Sequence, residues 1–383
     1  MKTSIFSSIK KLWSKLTRRR RIQFFLLTFL MILGSFFEVI SIGIVIPFLG
    51  ILVSPEKIFQ NETLQPIFQF LGLSNPSELL FPITLAFCLI VLFSSLIRLT
   101  LLWLSTRISL ASGADLSVDM YRRILYQPYS FHCSRNSSEI ITAISNKSSL
   151  VVYSIIMPTV VIVNSIVIMI AVIGAVILVD ALVALVLFSF LVFVYSIIIY
   201  IKRKQLGREG VVISLETTNL IKALQEGLGG IRDVIINSSQ EIYTKIYRKS
   251  DFALRRAQGN NIIISGSPRF LLESLGMIGI AIFAYLLVQT PGGVLSAIPI
   301  LGAVALGAQR LLPLIQMAYS SWVSIKGHHP SLDNMLELLE KTLPDYADNS
   351  SKLTLPFNHS ISLKQMFYRY SQDSPDILKR VNL

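Results

Sequence analysis

Residues 151–204 read VVYSIIMPTVVIVNSIVIMIAVIGAVILVDALVALVLFSFLVFVYSIIIYIKRK, two apolar runs that are separated by little more than Asp180 and followed by a basic triplet. A membrane-spanning helix needs about 20 mostly apolar residues, and each run meets that requirement. We therefore predict two membrane helices that are joined by a tight turn and end at a positively charged surface.

Working outward, four other parts of the chain carry apolar runs of similar length. The first of them follows a basic N-terminus, is too long for the core of a signal peptide, and lacks a small-residue cleavage site, so we expect it to be retained. The sequence predicts an all-α membrane protein with six spans: Ile22–Leu52, Leu79–Leu104, Val151–Val179, Ala181–Ile201, Phe270–Leu287 and Val294–Met317.

The composition agrees with this class. The chain is 52% hydrophobic and 15% charged, whereas soluble domains average about 25% charged residues. Its net charge of +13 does not indicate nucleic acid, because nucleic-acid binders carry basic faces on polar domains rather than beside long apolar runs. We expect membrane lipids as partners and no nucleic acid.

The distribution of Lys and Arg sets the orientation. Residues 1–21 and the second and fourth loops are rich in both, whereas the first, third and fifth loops hold only Lys57. Because positive residues collect on the cytoplasmic side, both termini and the even loops are predicted to be cytoplasmic.

The long inner loops also carry a helical pattern. Ile213–Leu228 and Glu241–Arg256 mix apolar and charged residues at helical spacing, so we predict helices that project well beyond the bilayer. Pro55–Leu73, in the first outer loop, is compatible with an amphipathic helix on the outer membrane surface or with a loop packed on the protein itself.

Four patches, in this order, resemble ABC exporters. They are YQPYSF (126–131) with NSSEI (136–140), QEGLGGIRDV (225–234), SLDNMLELLE (331–340), and ISLKQMFYRY (361–370) with ILKRVNL (377–383). The first is similar to the stretch in which a short coupling helix docks on the ATPase domain. The second resembles the segment that follows the second coupling helix, which the resemblance places near Val211–Leu220.

The last two patches resemble the link to the ATPase domain and the first strands of that domain. The resemblance implies a transmembrane domain over 22–325, a linker over 326–356 and a truncated start of the nucleotide-binding domain over 357–383, with Tyr370 stacking on the adenine of ATP. We find no G-x-x-x-x-G-K-[ST] loop for the phosphates in the sequence. We therefore expect ATP to serve only the complete transporter, and no ATP hydrolysis by this chain alone.

The resemblance implies further properties. It favours a homodimer in the bacterial inner membrane and implies an ATPase domain that is missing from this chain. Helix-one residues 37–48 and the 126–131 stretch look like those of flippases for lipid-linked oligosaccharides. A peptide or lipid exporter, an ATP-independent secondary transporter or channel, and an inactive truncated remnant remain alternatives.

Ionisable side chains within the apolar runs are the candidate substrate ligands, because charge at that depth is costly and marks functional sites. Arg98, Arg269 and Arg310 lie at similar depth on three predicted helices and would suit a phosphate-bearing headgroup. The alternative is that they pair with Glu38 or extend to the inner interface.

Other site chemistry is weakly indicated. His328, His329 and His359 lack the carboxylate or Cys neighbours of a metal site. The sequence gives no convincing Ser/His/Asp arrangement, so we predict neither a catalytic constellation nor a metal.

Overall fold

A computed structural model describes residues 4–43, 80–179, 181–288, 293–343, 347, 359–369 and 375–383. The described part is built almost entirely of helices. In chain order they are α1 (Ile5–Lys15), α2 (Arg18–Gly43), α3 (Leu80–Leu125), α4 (Tyr129–Ser134), α5 (Ser137–Thr142), a π-helical turn (Ala143–Lys147), α6 (Ser148–Val151), a second π-helical turn (Val152–Ile156), α7 (Met157–Val179), α8 (Ala181–Gly229), α9 (Ile231–Ile236), α10 (Gln240–Val288) and α11 (Gly293–Leu339).

Four of these helices are much longer than a bilayer requires. Helices α3, α8, α10 and α11 contain 46, 49, 49 and 47 residues. At 1.5 Å per residue each is roughly 70 Å long, against a hydrocarbon core of about 30 Å. The prediction that the apolar runs continue as helices into the polar loops is confirmed.

Three helices in the described part are long and apolar enough to cross a membrane: Arg18–Ser41, Leu80–Leu125 and Ser138–Ala175. Only 6% of an 18-residue apolar stretch of α3 is buried within the chain, as expected of a surface that faces lipid. The count of six crossings stays a prediction. The predicted outer-surface helix at Pro55–Leu73 lies outside the described residues.

The resemblance places the second coupling helix near Val211–Leu220, but the structure has no separate short helix at these residues. Val211–Leu220 lies in the interior of α8, where Ile213 is buried. The short helix between the long helices is instead α9, and it follows Gly229 and Gly230. Glycine costs roughly 1 kcal/mol relative to alanine inside a helix, so this pair favours the break that separates α8 from α9.

Helix α10 contains Pro268, and the helix beside it compensates for the proline. Proline has no N–H to donate to the carbonyl four residues earlier, which here belongs to Ile264. The hydroxyl of Tyr319 on α11 donates to that carbonyl oxygen over 3.0 Å. The Gln316 side-chain amide donates to the neighbouring Ser265 carbonyl over 2.8 Å, so α10 and α11 are joined where α10 is weakest.

The buried apolar residues form two main clusters. One lies among α1, α2, α3, the segment from α6 to the second π-helical turn, and the end of α11. The other joins α7, α8, α10 and α11. Because α11 contributes to both, it connects the region near the predicted membrane spans with the extensions beyond them.

Helices α8 and α11 are in close contact at two glycines. A methyl group on Gly210 would lie 2.5 Å from the carbonyl oxygen of Gly327, a distance that requires the helices to separate. We expect Gly210→Ala to destabilise the protein by about 1–3 kcal/mol, the usual cost of overpacking, and to lower the thermal midpoint of the purified protein in detergent. Gly207→Ala on the same helix meets open space and should leave the midpoint unchanged or raise it; equal midpoints for the two variants would refute this contact.

The described tail forms two short antiparallel strands, β1 (Met366–Tyr368) and β2 (Leu378–Val381), with Met366 opposite Val381 and Tyr368 opposite Leu378. Both strands fall within the segments for which the sequence predicts strands, so that prediction is confirmed.

Candidate functional site

A cavity of about 380 Å³ lies among α2, α3, α7 and α11. One part of its wall is apolar, formed by residues such as Leu101, Val161, Ile168 and Leu314. The rest of the wall is polar. Its polar residues are Ser35, Glu38, Arg98, Ser105, Asn164, Ser165, Gln309 and Arg310.

Glu38 lies at the centre of the charged part of this wall. Arg98 Nη2 contacts Glu38 Oε1, and Arg310 Nη1 lies 3.6 Å from the same oxygen. The Glu38 side chain is 11% exposed, whereas the side chains of Arg98 and Arg310 are 52% and 45% exposed. The carboxylate is therefore mostly buried, whereas the two arginine side chains that line the cavity are about half-exposed.

The close approach of α2 and α3 makes the first of these contacts possible. Gly34 lies one turn before Glu38, and a methyl group there would lie 2.9 Å from Leu101 Cδ1. With no side chain at position 34, the two helices come near enough for Glu38 to reach Arg98.

The structure brings two of the three predicted arginines together. Arg98 and Arg310 line the cavity, as the sequence hypothesis requires, and they also pair with Glu38, as the alternative requires. Arg269 is not among the lining residues. It follows Pro268 on an exposed part of α10, a helix that packs mainly against α8 and α11 rather than α2 and α3.

Two polar residues that line the cavity, Asn164 and Ser165, were not predicted from the sequence. Asn164 Oδ1 and Ser165 Oγ are buried and have no hydrogen-bond partner in the part of the chain that the structure describes. Buried polar atoms usually have partners, so these two oxygens are unusual features of the cavity wall. The signal was present, because this pair interrupts an otherwise apolar stretch of α7.

Residues 22–296 match the family model of the ABC transporter transmembrane region. This chain belongs to that family. The match covers more than two thirds of the sequence, and together with the long apolar helices it shows a membrane protein of the transporter class. The ABC transmembrane region holds the cavity, except for the α11 residues that line it, which follow the matched segment.

In this ABC transmembrane region, the short helix α4 is attached to the end of α11. Arg135 Nη2 lies 2.5 Å from Glu337 Oε1, and the guanidinium of Arg135 lies 5.2 Å from the centre of the Phe131 ring. The Lys341 ammonium contacts the same ring at 5.6 Å. Arg135 and Phe131 therefore connect the region of α4 with the end of α11, the helix that carries Arg310.

A Ser/His/Asp group that the sequence did not indicate joins α1 to α11. Ser8 Oγ donates to Asp333 Oδ1 over 2.8 Å, and His329 Nε2 lies 3.1 Å from the same hydroxyl. Ser8 is 1% exposed, and its proton is directed to the carboxylate rather than to the imidazole. The group therefore fastens two helices and is not arranged as a nucleophile with its base.

The remaining candidates from the sequence concern a metal ion and the adenine of ATP. Among the described residues, no three His, Cys, Asp or Glu side chains meet in a group that could hold a metal ion. Tyr370, the predicted adenine contact, lies outside the described residues.

Lowering the pH from 7 to 5 should destabilise the helix bundle through His328 and His329. Burial lowers the pKa of His328, and the hydrogen bond to the Ser324 carbonyl opposes this effect only in part. Burial also lowers the pKa of His329, where Asp333 opposes the effect and Lys326 adds to it. The unfolded state therefore binds more protons as the pH falls below about 6.5, so stability is full above that pH and is lost below it.

Thermal midpoints measured across this range test the effect. The double variant His328→Gln/His329→Gln should lose less stability than the unmodified protein on acidification. If both proteins lose the same amount, the two imidazoles are not responsible.

Proposed function

We propose that this ABC transmembrane region moves an amphiphile with an anionic headgroup across the membrane, with a lipid-linked oligosaccharide as the best candidate. The observation that carries the proposal is the cavity in which Arg98 and Arg310 share the single carboxylate of Glu38. Among the residues that line it, two fixed positive charges face one negative charge.

Charge accounting favours an anion. The lining residues leave the cavity with one net positive charge, at a depth where unpaired charge is costly. Guanidinium groups bind phosphate oxygens through charge-assisted and often bidentate hydrogen bonds. A phosphate or pyrophosphate would therefore neutralise the arginine charge that the single carboxylate of Glu38 does not.

The remaining walls favour an amphiphile over a small ion. Apolar side chains from α3, α7 and α11 stand beside the polar ones, and most of the apolar surface of α3 is exposed. A headgroup could occupy the polar side while the tail stays against apolar helix surfaces and lipid. Asn164 also lines the cavity, and its amide nitrogen can donate to sugar hydroxyls or phosphate oxygens.

The proposed motion follows from the long helices. Helices α4 and α9 are short elements at the ends of helices roughly 70 Å long, and α4 is tied to α11 through Arg135 and Glu337. In the proposal, nucleotide-binding domains of a homodimer close on α4 and α9. The long helices then turn as rigid bodies and change the side from which the cavity is accessible.

The residues present do not fit the phosphates of ATP. Residues 1–383 contain no phosphate-binding loop, and Tyr370 alone would supply only a stacking face. ATP hydrolysis is therefore proposed to occur outside these residues.

Ligand binding in nanodiscs tests the headgroup directly. The purified chain is titrated with a fluorescent polyprenyl-pyrophosphate oligosaccharide and, as the matched control, with the same oligosaccharide on a neutral polyprenol. We expect the pyrophosphate ligand to bind at least about tenfold more tightly, because hydrogen bonds to charged groups contribute roughly 1.5–3 kcal/mol. Equal affinity for the two ligands would reject an anion-binding cavity.

A further inference from the structure

A second cavity lies between α1 and the first membrane helix, next to the charged cavity, with which it shares Met31 and Val160 in its walls. Its volume is about 230 Å³. The walls come from α1, α2, the second π-helical turn and α7, and they are almost wholly apolar. The lining residues are Ile9, Leu12, Trp13, Leu16, Phe24, Leu27, Thr28, Met31, Ile156, Thr159, Val160 and Val163.

The two hydroxyl groups in this wall are already satisfied. Thr28 Oγ1 donates to the Phe24 carbonyl over 3.0 Å, and Thr159 Oγ1 donates to the Ile155 carbonyl over 2.6 Å. The pocket therefore presents a hydrocarbon surface. It is also smaller than the roughly 300–1,000 Å³ typical of sites for drug-sized molecules, so it suits a narrow apolar chain.

The pocket is held in shape by contacts at both ends of α1. Arg21 bonds the carbonyls at the end of α1, with Nη2 2.6 Å from Ser14 O and Nε 3.0 Å from Leu16 O. Towards the other end, Ser8 donates to Asp333 on α11. These contacts fix α1 against the bundle, so the space beneath it is part of the fold.

Several basic residues of α1 and the start of α2 are close in sequence to the residues that line the pocket. Lys11 pairs with Glu340 and Arg20 with Asp115, but four other cations have no ion pair in the described part of the chain. They are Lys10, Lys15, Arg18 and Arg19. Two of them stand on α1 next to lining residues, and two begin α2 within two turns of Phe24.

The position of the pocket matches a lipid headgroup region. The first apolar helix able to cross a membrane begins at Arg18, so the cations stand where the hydrocarbon starts. Trp13, whose ring lies 5.7 Å from that of Phe24, is 44% exposed, and tryptophan prefers this interface. Phe6 on the same helix is 80% exposed.

We propose that this pocket binds one acyl chain of an anionic phospholipid whose headgroup contacts Lys10, Lys15, Arg18 and Arg19. The apolar walls select a hydrocarbon chain, and the unpaired cations select a negative headgroup. The inference does not depend on the cargo of the transporter, since it uses none of the residues that pair in the charged cavity.

Tryptophan quenching by brominated lipids tests the site with an internal control. The chain has three tryptophans, so Trp103→Phe/Trp322→Phe leaves Trp13 as the reporter. The matched control Trp13→Phe/Trp322→Phe leaves Trp103, which is 60% exposed on α3. Both proteins are placed in phosphatidylcholine bilayers with rising fractions of brominated phosphatidylglycerol or, separately, brominated phosphatidylcholine.

We expect Trp13 to be half-quenched at a several-fold lower fraction of phosphatidylglycerol than of phosphatidylcholine, while Trp103 responds equally to both lipids. Lys10→Gln/Lys15→Gln should remove most of this several-fold preference at Trp13, because basic residues near the membrane surface attract anionic lipids. An equal response of Trp13 to the two lipids would overturn the proposal.

A variant that fills the pocket separates chain binding from surface attraction. Val163 lines this pocket and not the charged cavity. Val163→Phe keeps every cation and should reduce the preference at Trp13 by at least threefold, provided that its thermal midpoint shows a folded protein. If a folded Val163→Phe variant keeps the full preference, the headgroup alone is attracted and the pocket assignment fails. Leu27→Phe provides a second filling variant.

Discussion

Arg310→Ala should weaken the binding of an anionic amphiphile by roughly 10- to 100-fold. The Arg310 guanidinium lies 3.6 Å from Glu38, and the Arg310 side chain lines the cavity and is 45% exposed, so it can bond to a ligand phosphate without leaving the carboxylate. A hydrogen bond to a charged group contributes about 1.5–3 kcal/mol, and each 1.4 kcal/mol corresponds to a factor of ten in the dissociation constant.

The measurement is the nanodisc titration with the pyrophosphate ligand. Arg269→Ala is the matched control, because it removes the same side chain from a helix that does not line the cavity. We expect the control to bind as the unmodified protein does, and both variants to elute as folded protein. If the two alanine variants bind equally well, Arg310 is not a ligand for the headgroup.

Glu38→Gln should have two effects of opposite sign. Removing the carboxylate leaves Arg98 and Arg310 facing each other without a counter-charge, which destabilises the helix bundle. Breaking a fully buried ion pair costs roughly 3–5 kcal/mol; the cost here is smaller because both arginines are about half-exposed. The same change raises the net charge of the cavity by one, so the affinity for the anionic ligand should increase.

Thermal unfolding and ligand titration of one preparation measure both effects. The double variant Glu38→Gln/Arg98→Ala restores the original net charge of the cavity. It should therefore recover part of the lost thermal stability and lose the gain in affinity. A Glu38→Gln protein with unchanged stability and weaker binding would show that Glu38 contacts the ligand itself rather than holding the arginines.

The helices were predictable because their causes lie in local composition. Apolar runs near the bilayer length predict spans, and helical spacing in the polar loops predicts that helices continue through those loops, as α8 and α10 do. The resemblance places a short helix near Val211–Leu220, whereas α9 begins after Gly229 and Gly230. A glycine pair in a long helical pattern is itself the better signal for the break.

The site was only partly predictable because it is made by packing between helices. Unusual charges in apolar runs identified Glu38, Arg98 and Arg310 as candidates. The predicted depth in the membrane could not distinguish Arg269 from Arg98 and Arg310, because depth does not show which face of a helix lines a cavity. The pocket beneath α1 was missed for a related reason: its walls come from segments more than 100 residues apart.

Cysteine labelling in intact cells tests the central claim, that the helices cross the membrane and carry their long extensions on the cytoplasmic side. Cys133 on α4 and Cys88 on α3 are the two native cysteines, and both are exposed. Cys88→Ser leaves Cys133 as a reporter for one extension, and Asn237→Cys at the end of α9 in a protein with both native cysteines replaced reports on the other. An impermeant maleimide should label each reporter only after the cells are permeabilised. Labelling of either reporter in intact cells would contradict the account.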